Sequence, residues 1–370
     1  MNKVLLGDVA EEVRENYNET DGNPAVVGLE HLIPGEIRLK EWSEDTNTTF
    51  TKAFHKGQVL FGRRRAYLKK AAVAPVDGIC SGDITVISAK QDKILPELLP
   101  FVIQNDDFFD FAVGKSAGSL SPRVKWSRLK EYEFTLPSLP QQRKLAKLLW
   151  SFVDAKEAYE DLIRQTDELV KSQFIEMFGD PVTNNHGWPT IPLREVAPEY
   201  SPKLPEADSY WWLNLDMIET YSGRLMEKVI ATPEEIGNST STFDATMVLY
   251  SKLRPYLNKV FVPDDCGYAT TELVGLRPNS KILNKYFLFN LLRGDQFVAY
   301  ASGLSSGGQM PRIPMKALRD FKCILPPMEL QEQFVETSHQ SDKSKFELQY
   351  VKRNVKEMIT CSQKKIQLNR

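Results

Sequence analysis

The residues of this chain best placed to do chemistry are basic ones, gathered in windows without acids. No Asp or Glu lies between Asp45 and Asp77, yet Lys52, Lys56, Arg63, Arg64, Arg65, Lys69 and Lys70 do. None lies between Asp110 and Glu131, where Lys115, Arg123, Lys125, Arg128 and Lys130 occur. The pattern returns with fewer charges: Lys252, Arg254 and Lys259 between Asp244 and Asp264, then Arg312, Lys316 and Arg319 between Asp295 and Asp320. Tyr67, Tyr256 and Trp126 are interleaved. Lys and Arg on one face neutralise phosphates, and Arg also grips guanine edges with two parallel hydrogen bonds. One such run alone reads as a solvated charged face. Two windows that recur together read as a DNA-contacting surface. The candidates facing DNA are Arg63, Arg64, Arg65, Arg123, Arg254 and Arg312, with Lys69, Lys252 and Lys259 as phosphate contacts. Arg123 and Arg312 each follow a proline and have a second reading, as internal ion-pair partners where a domain meets a helix.

Other chemistries find no support. The chain has 370 residues, 47 Lys plus Arg against 49 Asp plus Glu, and a net charge of −2, so any nucleic-acid surface is a local patch rather than bulk charge. His31, His55, His186 and His339 are not paired at metal-ligand spacing and read as surface or turn residues. There is no GxxxxGK[ST] phosphate loop and no GxGxxG that opens a helix after a strand. The glycines from Gly303 to Gly308 follow a helical pattern and read as a turn. Pro263-Asp264 with Glu272 superficially resembles nuclease metal ligands, but no Lys follows where one is needed, so Glu272 and its counterpart Asp83 read as structural. Cys80, Cys266, Cys323 and Cys361 are scattered, which argues against a disulfide framework or a cysteine zinc site and suits a reducing cytosol. The opening MNKVLLGDVAEEV has no apolar stretch fit for a signal peptide, and no run approaches the roughly 18 apolar residues of a membrane span. The expected location is the cytoplasm, with no membrane partner.

The basic windows recur because the chain is an internal duplication. At an offset of 189, Val59-Leu60-Phe61 aligns with Val248-Leu249-Tyr250, and Arg65-Ala66-Tyr67-Leu68 with Arg254-Pro255-Tyr256-Leu257. Asp83 aligns with Glu272, Pro122-Arg123 with Pro311-Arg312, and Gln142 with Gln331. Near the start the offset changes by two, where LGDVAEEV from Leu6 matches LREVAPEY from Leu193. In each half the segments VLFGRRRAYLKKAAVAP and MVLYSKLRPYLNKVFVP read as strands and a turn. Asp83 to Ser88 reads as a further strand. LLPFVIQNDDFFDFAV and KYFLFNLLRGDQFVAYA read as buried helix, followed by a loop that Gly114, Gly118, Gly303, Gly307 and Gly308 mark.

Each half ends in a long helix. Leu145, Leu148, Phe152, Ala155, Tyr159, Leu162, Thr166, Leu169 and Gln173 alternate at spacings of 3 and 4, which predicts a coiled-coil seam. Ser138 with Gln141 reads as a capping box, and Gly179 and Pro181 as the stop. About 40 residues at 1.5 Å each give roughly 60 Å of helix. Phe334, Thr337, Ser341, Ser344, Leu348, Val351, Val355 and Met358 keep the same register in the second copy, with a polar first half. Gln142 and Gln331, at the helix entry, read as caps or braces of the helix rather than DNA contacts. The predicted architecture is a mixed α/β (α+β) fold: two similar domains (1–139 and 180–328) and two long spacer helices (140–179 and 329–370). The helices are expected to run antiparallel, giving a dumbbell with a pseudo-twofold. The readers differ between halves, Gly62-Arg63-Arg64 against Ser251-Lys252-Leu253, so the two half-sites on DNA should differ.

This organisation resembles the specificity subunit of type I restriction–modification systems. The resemblance is carried by the duplicated openings, by VLFGRRRAYLKKAAV and VLYSKLRPYLNKVFV, by SPRV and MPRI, and by the junctions TLPSLPQQRKLAKLL and ILPPMELQEQFVE, with FIEMFGDP closing the first helix. It covers nearly the whole chain. It implies two target recognition domains, each reading one half of a bipartite site in double-stranded DNA, and a subunit that is not itself catalytic. It also implies two modification subunits that carry S-adenosylmethionine and methylate adenine N6, and restriction subunits that use ATP and Mg. No cofactor is then expected on this chain. A protein–protein scaffold and the specificity subunit of a related bifunctional restriction system are the competing readings.

Overall fold

The computed structural model describes residues 2–17, 24–238 and 240–364, with most side chains beyond residue 341 left out. The seam residue Ser344 and Cys361 lie outside the described side chains. The chain divides into two compact units, Met1–Asp161 with Leu348–Arg370, and Leu162–Glu347. The two units share most of their elements, but among the described residues the strand Ala10–Val13 belongs only to the first and the strand Val229–Ala231 only to the second.

In the first unit a short strand Asn2–Leu5 pairs antiparallel with Glu133–Leu136. A four-stranded antiparallel sheet runs in the order Ala10–Val13, Ile84–Ala89, Val59–Gly62, Ala71–Val73. A three-stranded sheet places Gly78–Cys80 between Ala25–Val27, to which it is parallel, and Lys52–Phe54. β-branched and aromatic residues fill these strands, and Val59, Leu60 and Phe61 are fully buried. The second unit repeats the scheme. Thr190–Pro192 pairs with Lys322–Ile324. Val248–Ser251 lies between Val260–Phe261 and Leu273–Leu276. Gly267–Thr270 lies between Tyr210–Leu213, again parallel, and Thr240–Phe243. Gly78 and Gly267 hold corresponding central positions where a Cβ would collide with the neighbouring strand, at 2.2 Å from Ala25 O and 2.4 Å from Trp211 O. Only glycine lets those parallel pairs close.

The expected buried helix of each half is two helices. Leu99–Ile103 is followed by Asp106–Gly114, and Lys285–Arg293 by Asp295–Gly303. Apolar spacing continues across each break, so periodicity alone misses it. Asn105 makes the first break: its backbone is extended and its side chain accepts from Asp107 N, capping a new helix. Gly294 takes the same place in the second half.

The long helices span Leu139–Phe178 and Met328–Lys364. Ser138 N and Oγ both donate to Gln141 Oε1, at 3.2 and 3.1 Å, and the first of these is the half of a capping box in which the Gln side chain reaches back to the N-cap. Gly179 stops the first helix in a left-handed conformation, φ +71°. Gln142 is buried and braces the junction: its amide donates to Pro137 O and Lys93 O, and its oxygen accepts from Leu95 N. Gln331 does the same with Pro326 O, Ile282 O and Asn284 N.

The predicted seam of the first helix is displaced by one residue. Ala146, Leu149 and Val153 are buried in the first unit, and Val170, Phe174 and Phe178 in the second. Leu148, Leu162 and Leu169 are instead exposed, Leu169 to 62%. Two apolar rows lie side by side on this helix, and a 3–4 spacing does not choose between them. Ion pairs add to the choice. Arg38 pairs with Asp154 and Glu157, while Lys156 and Glu160 join Glu36 and Lys40. They draw the adjoining face onto the first domain. The second helix keeps more of its expected register, with Phe334 and Val355 buried, but Ile359 is buried where Met358 was expected.

Helix segments meet within each unit in an antiparallel order. In the first, Val355 and Ile359 join the core of Leu149 and Val153. In the second, Phe334 and Val335 join Phe174 and Phe178. Rings of Phe174, Phe178, Phe287 and Phe334 contact one another at 4.9 to 5.7 Å. Among the described residues no helix is long and apolar enough to cross a membrane, and no cluster of His, Cys, Asp and Glu is arranged to hold a metal.

Candidate nucleic-acid interface

Each basic window folds around one turn. After Val59–Gly62 the chain makes a 3-10 turn, Ala66–Leu68, flanked by two residues in the left-handed region, Arg65 (φ 53°) and Lys69 (φ 51°). The second unit repeats it at Pro255–Leu257, between Arg254 (φ 48°) and Asn258 (φ 47°). Non-glycine residues pay for this conformation, and such strain clusters where side chains must be aimed. The turn lifts Tyr67 and Tyr256 into solvent, 54% and 45% exposed.

A loop lies against the turn and locks it. The second basic window contributes it, with Ala117 and Arg123 bridging at 3.0 and 2.9 Å. Arg65 N donates to Pro122 O at 2.8 Å. Ser306 and Arg312 bridge in the same way at 3.1 and 2.9 Å, and Arg254 N donates to Pro311 O at 2.7 Å. The two separate acid-free windows of each half therefore meet in one place.

The nine predicted contact residues divide by what they touch. Arg65 is exposed, and its side chain has no hydrogen bond or ion pair among the described residues. Arg63 is half-buried and its backbone is tied to Asp83 O and Val124 N. Arg64 donates to Ser121 Oγ at 3.2 Å and sits 3.5 Å from Asp83. Arg254 donates to Gln309 O at 3.0 Å. Lys252 stands near Glu272 and helps hold that carboxyl low. The other four also have partners within the protein. Arg123 grips Asp83 with two hydrogen bonds, 2.7 and 3.2 Å. Arg312 grips Glu272 at 2.8 to 3.1 Å. These pairs match the second reading of the two arginines, except that they close the turn and loop of a domain rather than a domain–helix junction. They also give Asp83 and Glu272 their structural role. The hydrogen bond from Arg123, with Arg64 and Arg63 nearby, holds Asp83 below the usual carboxylate range. Lys69 pairs with Asp106 at 2.6 Å on the surface. Lys259 is corrected most: its ammonium turns inward to Leu215 O at 2.6 Å, and burial lowers its pKa. Lys70 does the same in the first unit, donating to Leu29 O at 2.6 Å. Both lysines brace the strand after the turn. Trp126 likewise packs against the core rather than joining the exposed tyrosines.

Sequence reasoning missed the loop tips. Leu120 is 91% exposed and Met310 48%. The signal was present in the Gly, Ser and Pro that surround them, but it marked a loop without saying what the loop presents.

Residues 6–165 and 242–357 match the type I restriction modification DNA specificity domain. The specificity subunit of the type I restriction enzyme EcoDI from Escherichia coli is 28% identical over 145 residues, 36% of this chain and 31% of that one, so the match spans about a third of the relative's length. Two solved structures share the fold over nearly their full lengths. A type I restriction–modification S subunit from M. genitalium has a TM-score of 0.58 at 13% identity, covering 100% of this chain and 96% of that chain. A chain from work on complex assembly and conformational transition of the type I R-M system has a TM-score of 0.55 at 19% identity, covering 99% and 97%. With the family matched over both halves and the duplicated turn and loop in each, the chain belongs to the type I restriction–modification DNA specificity family.

Proposed function

We propose that the chain reads an asymmetric bipartite site in double-stranded DNA, one half-site per unit, and does no chemistry of its own. The observation that carries this is the duplicated turn and loop, which sets Arg65 and Arg254 at corresponding left-handed positions beside Arg63, Arg64 and Lys252. Residues that recur engage what the half-sites share, the phosphate backbone. Residues that differ, Arg63-Arg64 against Lys252-Leu253, read what differs. The chain would set the register for two modification subunits that bring S-adenosylmethionine and methylate adenine N6 on a flipped base. Restriction subunits driven by ATP would join the same assembly.

The test is a map of methylated adenines across the host genome, with and without this chain. Loss of one asymmetric motif with a fixed spacer supports the proposal. An unchanged map in a cell whose modification subunit is active would overturn it.

A further inference from the structure

The two loop tips present apolar side chains where the fold has no use for them. Leu120 is 91% exposed, far above its neighbours in chemistry, and touches none of the apolar cores. Scattered exposed apolar residues are ordinary on protein surfaces. This one differs in two respects. Its loop is held at both ends: by the Ala117–Arg123 bridge, by Arg65 N on Pro122 O, and by Arg64 on Ser121 Oγ. Its immediate surroundings are the arginines of the proposed interface. The second unit repeats the arrangement. Met310 is 48% exposed on a loop pinned by the Ser306–Arg312 bridge and by the Arg254 side chain on Gln309 O.

We propose that Leu120 and Met310 are apolar base contacts, one in each unit, held ready by the pinned loops. This rests on the reading of the turn and loop as a DNA surface. Arginines around the tip would bind phosphates and polar base edges, and neither contact suits a hydrocarbon side chain. The apolar targets DNA offers are the thymine methyl in the major groove and the faces of a partly opened base step. A fixed loop loses little entropy when it docks, so more of the contact energy remains as affinity. The two tips are not equivalent by position. Leu120 aligns with Gln309, and Met310 with Ser121. The apolar group is therefore offset by one residue between units, and the base it meets should be offset as well. This places sequence discrimination on loop tips that carry no charge.

The test uses Leu120→Ala and Met310→Ala in the full chain assembled with its modification subunits. Both side chains are exposed, so neither substitution threatens folding. Methylated-adenine maps are read for each variant, and binding is measured on duplexes carrying the wild-type motif. L120A is expected to relax one base position in one half-site and weaken cognate binding about tenfold. M310A should relax one position in the other half-site only. Unchanged motifs with binding within about twofold of wild type overturn the proposal. Relaxation of both half-sites by either single variant overturns it too. Failure of the underlying reading looks different: the wild-type chain then directs no motif at all, and Arg65→Glu changes nothing.

Discussion

Arg65 carries the clearest expectation at the scale of single residues. It is exposed, set in a left-handed conformation, and its guanidinium has no partner among the described residues. Reversing its charge should weaken DNA binding at least tenfold, as expected for a lost phosphate or guanine contact replaced by repulsion; a gel-shift titration at fixed salt reads this directly. Lys259→Met should instead leave affinity nearly unchanged and lower stability, because its ammonium serves Leu215 O inside the fold. The Asp83–Arg123 and Glu272–Arg312 pairs predict a pH response. Both carboxyls are held below their ordinary range by their arginines. Their contribution is therefore present above the unfolded carboxylate pKa of about 4 and fades as pH falls through the lowered folded values. Urea unfolding of Asp83→Asn and Glu272→Gln should show a smaller loss between neutral and acid pH than the wild type. The basic windows were legible in the sequence because they are acid-free and recur. Which cations are already neutralised was not, because Asp83 lies 40 positions from Arg123 and pairing over that distance depends on the fold.

Helices and strands answer to packing, and here one part of the reading was displaced. The duplicated strands and the contact of Ser138 with Gln141 could be read from residue type and spacing, and the role of Gln142 and Gln331 from the family resemblance. The seam of the first helix could not, since Leu148, Leu162 and Leu169 compete with Leu149, Val153 and Val170 for the same periodicity, and only the docked domain decides. Three substitutions separate the rows. Leu149→Ala or Val153→Ala should cost about 2 to 4 kcal/mol, as cavities in a core do. Leu169→Gln should stay within about 0.5 kcal/mol when the chain is unfolded in denaturant. Gln142→Ala should behave like a core variant, not a surface one. It strands Leu95 N and two carbonyls away from water, at about 1 to 3 kcal/mol for each group left unpaired.

At the scale of the whole molecule, the second unit is one continuous stretch of chain and the first is not. Residues 348–370 cluster with 1–161, and Val355 and Ile359 sit in the same core as Leu149 and Val153. Ending the chain after Glu347 should therefore damage the unit at the other end of the sequence. Protease protection of the first unit should fall while that of the second persists. The same arrangement has a consequence for synthesis on the ribosome. Domains usually complete their folding in the order they emerge. Here the unit that emerges first cannot complete the part of its core that Val355 and Ile359 fill until residues 351–359 are made, while the second unit already has all its parts by Glu347. The first unit is begun first and finished last, and for most of translation the part of its core that Val355 and Ile359 fill is left for something else to cover.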